Sequence, residues 1–107
     1  MGPGLGLSIP LFNEEAVAEE FIRSVHAALT GALIPHKLIL VDNGSTDGTG
    51  ALVNRLSVEL GACTALHLSE NAGYGGGILA GLGQLDTPIV GWMWGDGQID
   101  AETLVAC

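Results

Sequence analysis

The chain has 107 residues, which is enough for one domain with one hydrophobic core. Its net charge is -9 with only three basic side chains, so a nucleic-acid-binding face is not expected. Two cysteines are too few for a disulfide framework, and no apolar stretch reaches the roughly 18 residues that a membrane-spanning helix needs. We therefore expect residues 1–107 to form a single globular domain in the cytoplasm.

Strands and helices are predicted in strict alternation along the chain. In chain order they are a strand over 5–9, a helix over 14–30, a strand over 37–41, a helix over 49–60, a strand over 62–68, a helix over 78–85, a strand over 88–93 and a helix start at 100–106. Apolar residues spaced by four, Val17, Phe21, Val25 and Leu29, predict the inward face of the first helix. A glycine-rich loop is predicted over 70–77. This order predicts an α/β fold, an open and mainly parallel sheet with helices on both faces.

Residues of the kinds found in binding sites follow the end of every predicted strand. The four clusters are Phe12, Asn13 and Glu14; residues 42–47; Asn71, Gly73, Tyr74 and Gly75; and Asp96 with Gln98. Because the carboxyl ends of parallel strands share one edge, where open α/β sheets bind ligands, we expect the clusters to lie together. Each cluster also has a local explanation as a helix cap or a turn, but those explanations do not predict that all four occur.

The clusters resemble, in the same order, the motifs of family 2 glycosyltransferases. Residues 10–15 are similar to P-x-Y/F-N-E-E, 41–49 to V-D-D-G-S-x-D-x-T, 71–77 to N-x-G-K/Y-G-x-A and 95–98 to the end of D-A-D-x-Q. The resemblance implies a GT-A fold, of which this chain would be the Rossmann-like nucleotide-binding half. It also implies inverting transfer from a UDP- or GDP-sugar to a polyprenyl-phosphate, as in dolichyl-phosphate mannose synthase-like enzymes, or to a saccharide, at the inner face of the membrane.

The resemblance also implies roles for individual residues in donor binding. Glu14 and Asp42 would accept hydrogen bonds from the ribose and the base, since carboxylates suit donor groups. Pro10 and Phe12 would pack against the base, and Asp47 would lie near the ribose or order its loop. The other implied nucleotide-binding residues are Asn13, Asn43, Gly44, Ser45, Gly73, Tyr74 and Gly75.

A divalent metal site is implied after the fourth strand. Asp96 would bind Mg²⁺ or Mn²⁺ that bridges the diphosphate, with Gln98 supporting the hydration shell of the ion. The ion would act as a Lewis acid for the departing nucleoside diphosphate. Trp94 stands where the motif has its first Asp, and Tyr74 stands where the family's loop has Lys.

No catalytic residue is expected in this chain, because the family's acceptor site and catalytic base belong to a further half of the domain. Two alternatives stay open. Trp94 and the few basic residues favour a catalytically inactive nucleotide-sugar-binding module. Residues 75–80 fit G-x-G-x-x-A, with Asp96 about 20 residues further on, as in a domain that binds NAD-type dinucleotides. Two observations argue against the dinucleotide-binding alternative. Residues 69–74 separate the motif from the preceding strand, and the alternative does not explain the polar residues at 42–47.

Overall fold

The computed structural model describes residues 4–87 and 89–92. In chain order its elements are β1 (Leu5–Leu11), α1 (Glu15–Gly31), β2 (His36–Asn43), α2 (Thr49–Leu60), β3 (Cys63–Leu68), α3 (Gly73–Leu82) and β4 (Ile89–Trp92). The predicted alternation of strands and helices is confirmed over this part of the chain. The helix start predicted at 100–106 lies outside the described residues.

The four strands form one parallel sheet in the order β3-β2-β1-β4. In this sheet Leu11 of β1 lies opposite Asp42 of β2, and Leu5 lies opposite Ile89 of β4. The chain moves outward from β1 to β3 and then returns to the far side of β1. The winding therefore reverses between β1 and β4, and the carboxyl ends of these strands flank the position where open α/β sheets bind ligands.

Side chains alternate between the two faces of the sheet, and each face has its own helices. Leu7, Ile9 and Leu40 belong to the core cluster that also contains the buried apolar residues of α1 and α2. The intervening residues Ser8 and Val41 lie against α3. The predicted cover of helices on both faces is therefore confirmed, with α1 and α2 on one face and α3 on the other.

Helix α1 packs on the sheet through one apolar stripe. Its buried residues are Ala18, Phe21, Ile22, Val25 and Leu29. The prediction that Val17 points inward is wrong, because the side chain is 46% exposed and Ala18 takes the buried position instead. Among the described helices, none is both long and apolar enough to cross a bilayer.

Ion pairs join α1 to α2 on their outer surface. Glu19 accepts from Arg23 at 2.9 Å and from Arg55 at 2.8 Å, and Arg23 also pairs with Glu59. Hydrogen bonds from Arg55 and then Arg23 lower the pKa of Glu19 to about 2. The third basic residue, Lys37, lies near the start of β2. None of the three basic side chains therefore belongs to the loops at the carboxyl edge of the sheet.

Helix α3 begins at Gly73, five residues before its predicted start, and ends at Leu82 rather than 85. The prediction of a loop over 70–77 is therefore wrong for 73–77. A Cβ on Gly77 would lie 2.9 Å from Asn43 Nδ2, and one on Gly81 would lie 1.9 Å from Ser8 Oγ. Glycine thus lets this helix lie directly on the sheet, and that contact offsets the cost of about 1 kcal/mol per helical glycine.

Candidate functional site

Asn13 joins the loop after β1 to the loop after β2. Its Oδ1 accepts hydrogen bonds from the backbone N–H groups of Thr46 (2.8 Å) and Asp47 (3.3 Å), and its own N–H donates to Ser45 Oγ (3.0 Å). Its φ of 50° is in the left-handed region, which Asn adopts more readily than most residues. The local explanation of Asn13 as a helix cap is wrong, because the N-cap residue of α1 is Glu14.

Asp47 orders the junction between α1 and α2. Its Oδ1 accepts from the backbone N–H (2.9 Å) and the hydroxyl (2.5 Å) of Thr49, and its Oδ2 accepts from Glu15 N–H (3.4 Å). In return, Glu15 Oε1 accepts from Gly48 N–H (3.1 Å), and Thr49 Oγ1 accepts from Glu14 N–H (3.1 Å). The hydrogen bonds from Thr49 hold the pKa of Asp47 below its ordinary value, so this carboxylate is charged at neutral pH.

Asp42 is the buried carboxylate of this edge. It lies at the end of β2 and is 7% exposed. Its Oδ1 accepts from Ser45 N–H at 3.0 Å, and its Oδ2 lies 3.1 Å from Nδ1 of His67 on β3. A carboxylate oxygen can accept two hydrogen bonds, so, as far as the described residues go, Oδ1 of Asp42 keeps capacity for one further donor.

The next residue, Asn43, faces the other side of the sheet and fixes the loop after β3. It is 2% exposed, its Oδ1 accepts from Ala72 N–H (2.9 Å) and its Nδ2 donates to the Gly73 carbonyl (3.0 Å). Gly44 has a φ of 73°, and a Cβ there would lie 2.4 Å from Asn71 N, so this position requires glycine. Asp42 and Asn43 together anchor loops on both faces of the sheet.

The remaining residues predicted after β1 lie partly inside the fold. Pro10 is buried in β1 on the side of α3, where a Cβ on Gly77 would lie 3.1 Å from its Cβ. Phe12 is 39% exposed just past the strand, and its N–H donates to Glu14 Oε1 at 3.2 Å. Phe12 thus lies open at the edge, whereas Pro10 packs under α3.

Of the site residues predicted after β3 and β4, the structure describes those after β3 but not those after β4. Gly73, Tyr74 and Gly75 form the first turn of α3, which begins at the carboxyl edge. The predicted metal residues Asp96 and Gln98 lie outside the described residues. Within 4–87 and 89–92, no three His, Cys, Asp or Glu side chains are grouped so that they could hold a metal ion.

His67 was not among the residues predicted from sequence. A single histidine inside a strand gives no local signal, and its partner Asp42 is 25 residues away along the chain. The register of β2 and β3, which places His67 opposite Asp42, could have identified it once the strands were aligned.

The position of Gly75 bears on the dinucleotide alternative. Gly75 is the third residue of α3, so G-x-G-x-x-A lies inside the helix. In the dinucleotide fingerprint the first glycine makes the tight turn between strand and helix. The geometry therefore disfavours that alternative.

The sequence matches the family model described as glycosyl transferase family 2 over residues 7–106. It is also 30% identical over 83 residues to an undecaprenyl-phosphate 4-deoxy-4-formamido-L-arabinose transferase of Serratia proteamaculans (strain 568). That match covers 77% of this chain but 26% of the relative, so the chain spans only a part of the length of that protein.

Two solved structures share the fold. The mannosyltransferase PcManGT from Pyrobaculum calidifontis, in complex with GDP-Man and Mn²⁺, superposes with a TM-score of 0.79 at 23% identity, covering 98% of this chain and 31% of that one. TarS 1-349 from S. aureus, in complex with UDP-GlcNAc, gives 0.75 at 24% identity, covering 97% and 29%. Both likenesses agree with the open parallel sheet described above. Since the family model covers almost the whole chain, this chain belongs to glycosyl transferase family 2.

Proposed function

We propose that this chain is the donor-binding part of an inverting glycosyltransferase. Residues 1–107 form the N-terminal part of a longer GT-A domain, which binds a UDP- or GDP-sugar at the carboxyl edge of the sheet. The whole protein transfers the sugar to a polyprenyl-phosphate or saccharide acceptor on the cytoplasmic side, at the inner face of the membrane. The names of the relatives support this, since they include an undecaprenyl-phosphate sugar transferase and complexes with GDP-Man and UDP-GlcNAc.

The observation that carries the proposal is the hydrogen-bonded edge around Asp42, next to the point where the winding reverses. Asn13 and Asp47 hold the first two loops together there, and Asn43 holds the third. Loops that are already ordered before the ligand binds lose less conformational freedom on binding, so less of the binding free energy is spent on ordering them. Hydrogen bonds between the loops are expected of a shared ligand site. If the loops were only unrelated turns and helix caps, they would not need to be hydrogen-bonded to one another.

The acceptor groups at this edge suit a nucleoside. Asp42 and Glu14 offer carboxylate oxygens, which accept hydrogen bonds but cannot donate them when ionised. Their partners are therefore the ribose hydroxyls and a base edge with an N–H group, as in uracil or guanine. Phe12 lies exposed next to Glu14 and offers its ring to the base.

The charge of the edge argues for a metal ion with the diphosphate. Glu14, Glu15, Asp42 and Asp47 lie at this edge, while the basic residues of the chain lie on the surface of α1 and α2 or near the start of β2. A diphosphate bound here therefore needs positive charge that Arg23, Lys37 and Arg55 do not supply. We assign Mg²⁺ or Mn²⁺ to Asp96, with Gln98 supporting its water shell, and the bound ion would stabilise the departing nucleoside diphosphate.

A second candidate is an inactive module that binds the nucleotide sugar without transferring it. It is favoured by Trp94, which cannot ligate a metal, at the first position of the metal motif. Neither candidate places a catalytic residue in this chain. Sugar transfer by the whole protein, compared with donor binding by the same preparation, distinguishes the two.

Calorimetric titration of this chain with UDP-sugars, GDP-sugars and NAD, in the presence of Mn²⁺, tests the proposal. A UDP- or GDP-sugar should bind more tightly than NAD. Asp42→Asn should weaken binding by about 1–3 kcal/mol, since a hydrogen bond to a charged group is lost. Asp86→Asn is the matched control, because it removes the same charge from the loop between α3 and β4, at the opposite edge of the sheet.

Circular dichroism should first establish that both variants are folded. Tighter binding of NAD would contradict a nucleotide-sugar site. Equal losses in Asp42→Asn and Asp86→Asn would point to a general effect of net charge and would remove Asp42 from the site.

A further inference from the structure

His67 connects the buried carboxylate of Asp42 to helix α2 through both of its ring nitrogens. Nδ1 lies 3.1 Å from Asp42 Oδ2, and Nε2 lies 2.8 Å from Asn54 Oδ1. The side chain of His67 is 42% exposed, whereas that of Asp42 is 10% exposed. The imidazole therefore sits at the rim of the edge with one nitrogen facing inward to the carboxylate.

Asp42 depends on this imidazole more than a surface carboxylate would. Within the described ranges, His67 is the one side chain that pairs with Asp42, and the backbone N–H of Ser45 is its other hydrogen-bond donor. Arg23 and Arg55 are engaged with Glu19 and Glu59. A buried carboxylate needs such partners, because removing it from water without hydrogen bonds is costly.

The contact with Asp42 can persist in both protonation states of the ring. In the neutral form Nδ1–H donates to Asp42, and Nε2 accepts from the amide nitrogen of Asn54 once that amide is turned. In the protonated form both nitrogens donate, and Asn54 Oδ1 accepts. Since an asparagine amide can present either atom, Asn54 can satisfy both forms.

Helix α2 closes the other side of the carboxylate. A Cβ on Gly50 would lie 2.7 Å from Asp42 Oδ2 and 3.8 Å from His67 Cε1. Gly50 is in the first turn of α2, whose N-terminus favours a negative charge beside it. The Oδ2 atom is thus enclosed between this turn and the imidazole.

We infer that His67 is a positioning residue for donor binding: by donating to the enclosed Oδ2, it holds Asp42 in one orientation, in which Oδ1 keeps a lone pair for the nucleoside. This inference rests on the proposed function. It assigns His67 no contact with the nucleotide and no part in sugar transfer. Its effect on affinity should therefore pass through Asp42 alone.

A double-mutant cycle on nucleotide affinity tests this. The ligand is whichever of UDP and GDP the wild-type chain binds more tightly, with Mn²⁺ present. His67→Ala should weaken its binding by about 5- to 20-fold, which is the range for the loss of one orienting hydrogen bond. His67→Gln should restore most of the affinity, because its amide can donate to Asp42. In an Asp42→Asn background, His67→Ala should change affinity by less than about twofold, since the two residues act as one unit.

His36→Ala is the matched control. His36 is also bonded through both ring nitrogens, to His26 and to the Ile34 carbonyl, but it lies at the other end of β2. Removal of the His36 side chain should leave the affinity for the nucleotide unchanged.

A measurement on the free chain does not depend on any ligand. The ¹⁵N NMR signals of the His67 ring should show a protonated Nδ1, and Asp42→Asn should remove that preference. A neutral ring protonated only at Nε2 would overturn the inference, as would wild-type affinity in His67→Ala or an equal loss in the Asp42→Asn background. If the wild-type chain binds neither UDP nor GDP, the proposed function fails, and the NMR signals still decide whether His67 orients Asp42.

Discussion

Replacing Gly81 with alanine should destabilise the protein, although alanine is the better helix former. The new Cβ would lie 1.9 Å from Ser8 Oγ, 2.7 Å from Ser8 Cβ and 2.9 Å from Val41 Cγ2. Ser8 and Val41 are both fully buried, so neither has open space to move into.

The size of the effect follows from three contributions. Helix propensity favours alanine by about 1 kcal/mol. Overpacking a buried contact costs roughly 1–3 kcal/mol. Turning the Ser8 hydroxyl away also breaks its hydrogen bond to the Ile78 carbonyl, at 3.0 Å, which is worth about 1 kcal/mol. The free energy of unfolding should therefore fall by about 1–3 kcal/mol.

Urea unfolding at a fixed temperature, followed by circular dichroism, measures this change. Gly83→Ala is the matched control, because Gly83 has a φ of -63° and its new Cβ would meet only two carbonyl oxygens at 3.5 Å. That variant should gain roughly 0.4–1 kcal/mol by restricting the unfolded chain. Adding Ser8→Ala to Gly81→Ala should recover part of the loss, since Ser8 Oγ is the nearest atom. A Gly81→Ala protein as stable as the wild type would refute the close packing of α3 on β1 and β2.

Two further predictions concern the metal and the pH dependence of stability. Mn²⁺ affinity, measured by electron paramagnetic resonance, should rise sharply when the nucleoside diphosphate is added, and Asp96→Asn should abolish that rise; a rise that persists in the variant would remove Asp96 from the proposed site. Burial, with a smaller contribution from His36, lowers the pKa of His26 from 6.5, so the unfolded chain takes up this proton first. Thermal stability should therefore fall as pH drops below about 6.5, and His26→Gln should flatten this fall; an equal slope in the variant would show that another group is responsible.

The order and type of the strands and helices could be predicted because they depend on local periodicity. The residues at which each element begins and ends depend also on contacts with neighbouring elements. The first strand was predicted over 5–9, before Pro10, yet β1 continues to Leu11. The register with β2 places Pro10 opposite Val41 and Leu11 opposite Asp42. This pairing continues the strand past the proline, and it is a tertiary contact that the local sequence does not show.

The start of α3 was misplaced for a related reason. The propensity of glycine is a local signal that disfavours a helix over 73–77. The benefit of close packing of Gly77 and Gly81 on Ser8, Val41 and Asn43 is a tertiary effect that the local sequence does not show.

The edge of the sheet at which the candidate site lies could be predicted from the sequence, but its hydrogen bonds could not. Strand order alone brings Asn13, Asp42 and Gly73 to one edge, as predicted. The specific hydrogen bonds were not predictable, because Asn43 bonds to Ala72 and His67 bonds to Asn54 across loops and elements. The nucleotide-binding and metal-binding roles themselves stay predictions.

Synthesis exposes the two faces of the sheet at different times. Among the described residues, the core cluster runs from Leu7 to Cys63, so the α1 and α2 layer is complete in sequence before α3 leaves the ribosome. Ile39 and Val41, on the other face, are fully buried in the finished fold. A nascent chain that ends before α3 therefore presents an apolar face with its natural cover still missing, which is the kind of surface that chaperones bind. Pairing of β4 with β1 then joins segments from opposite ends of the described chain, and contacts between such distant segments form slowly.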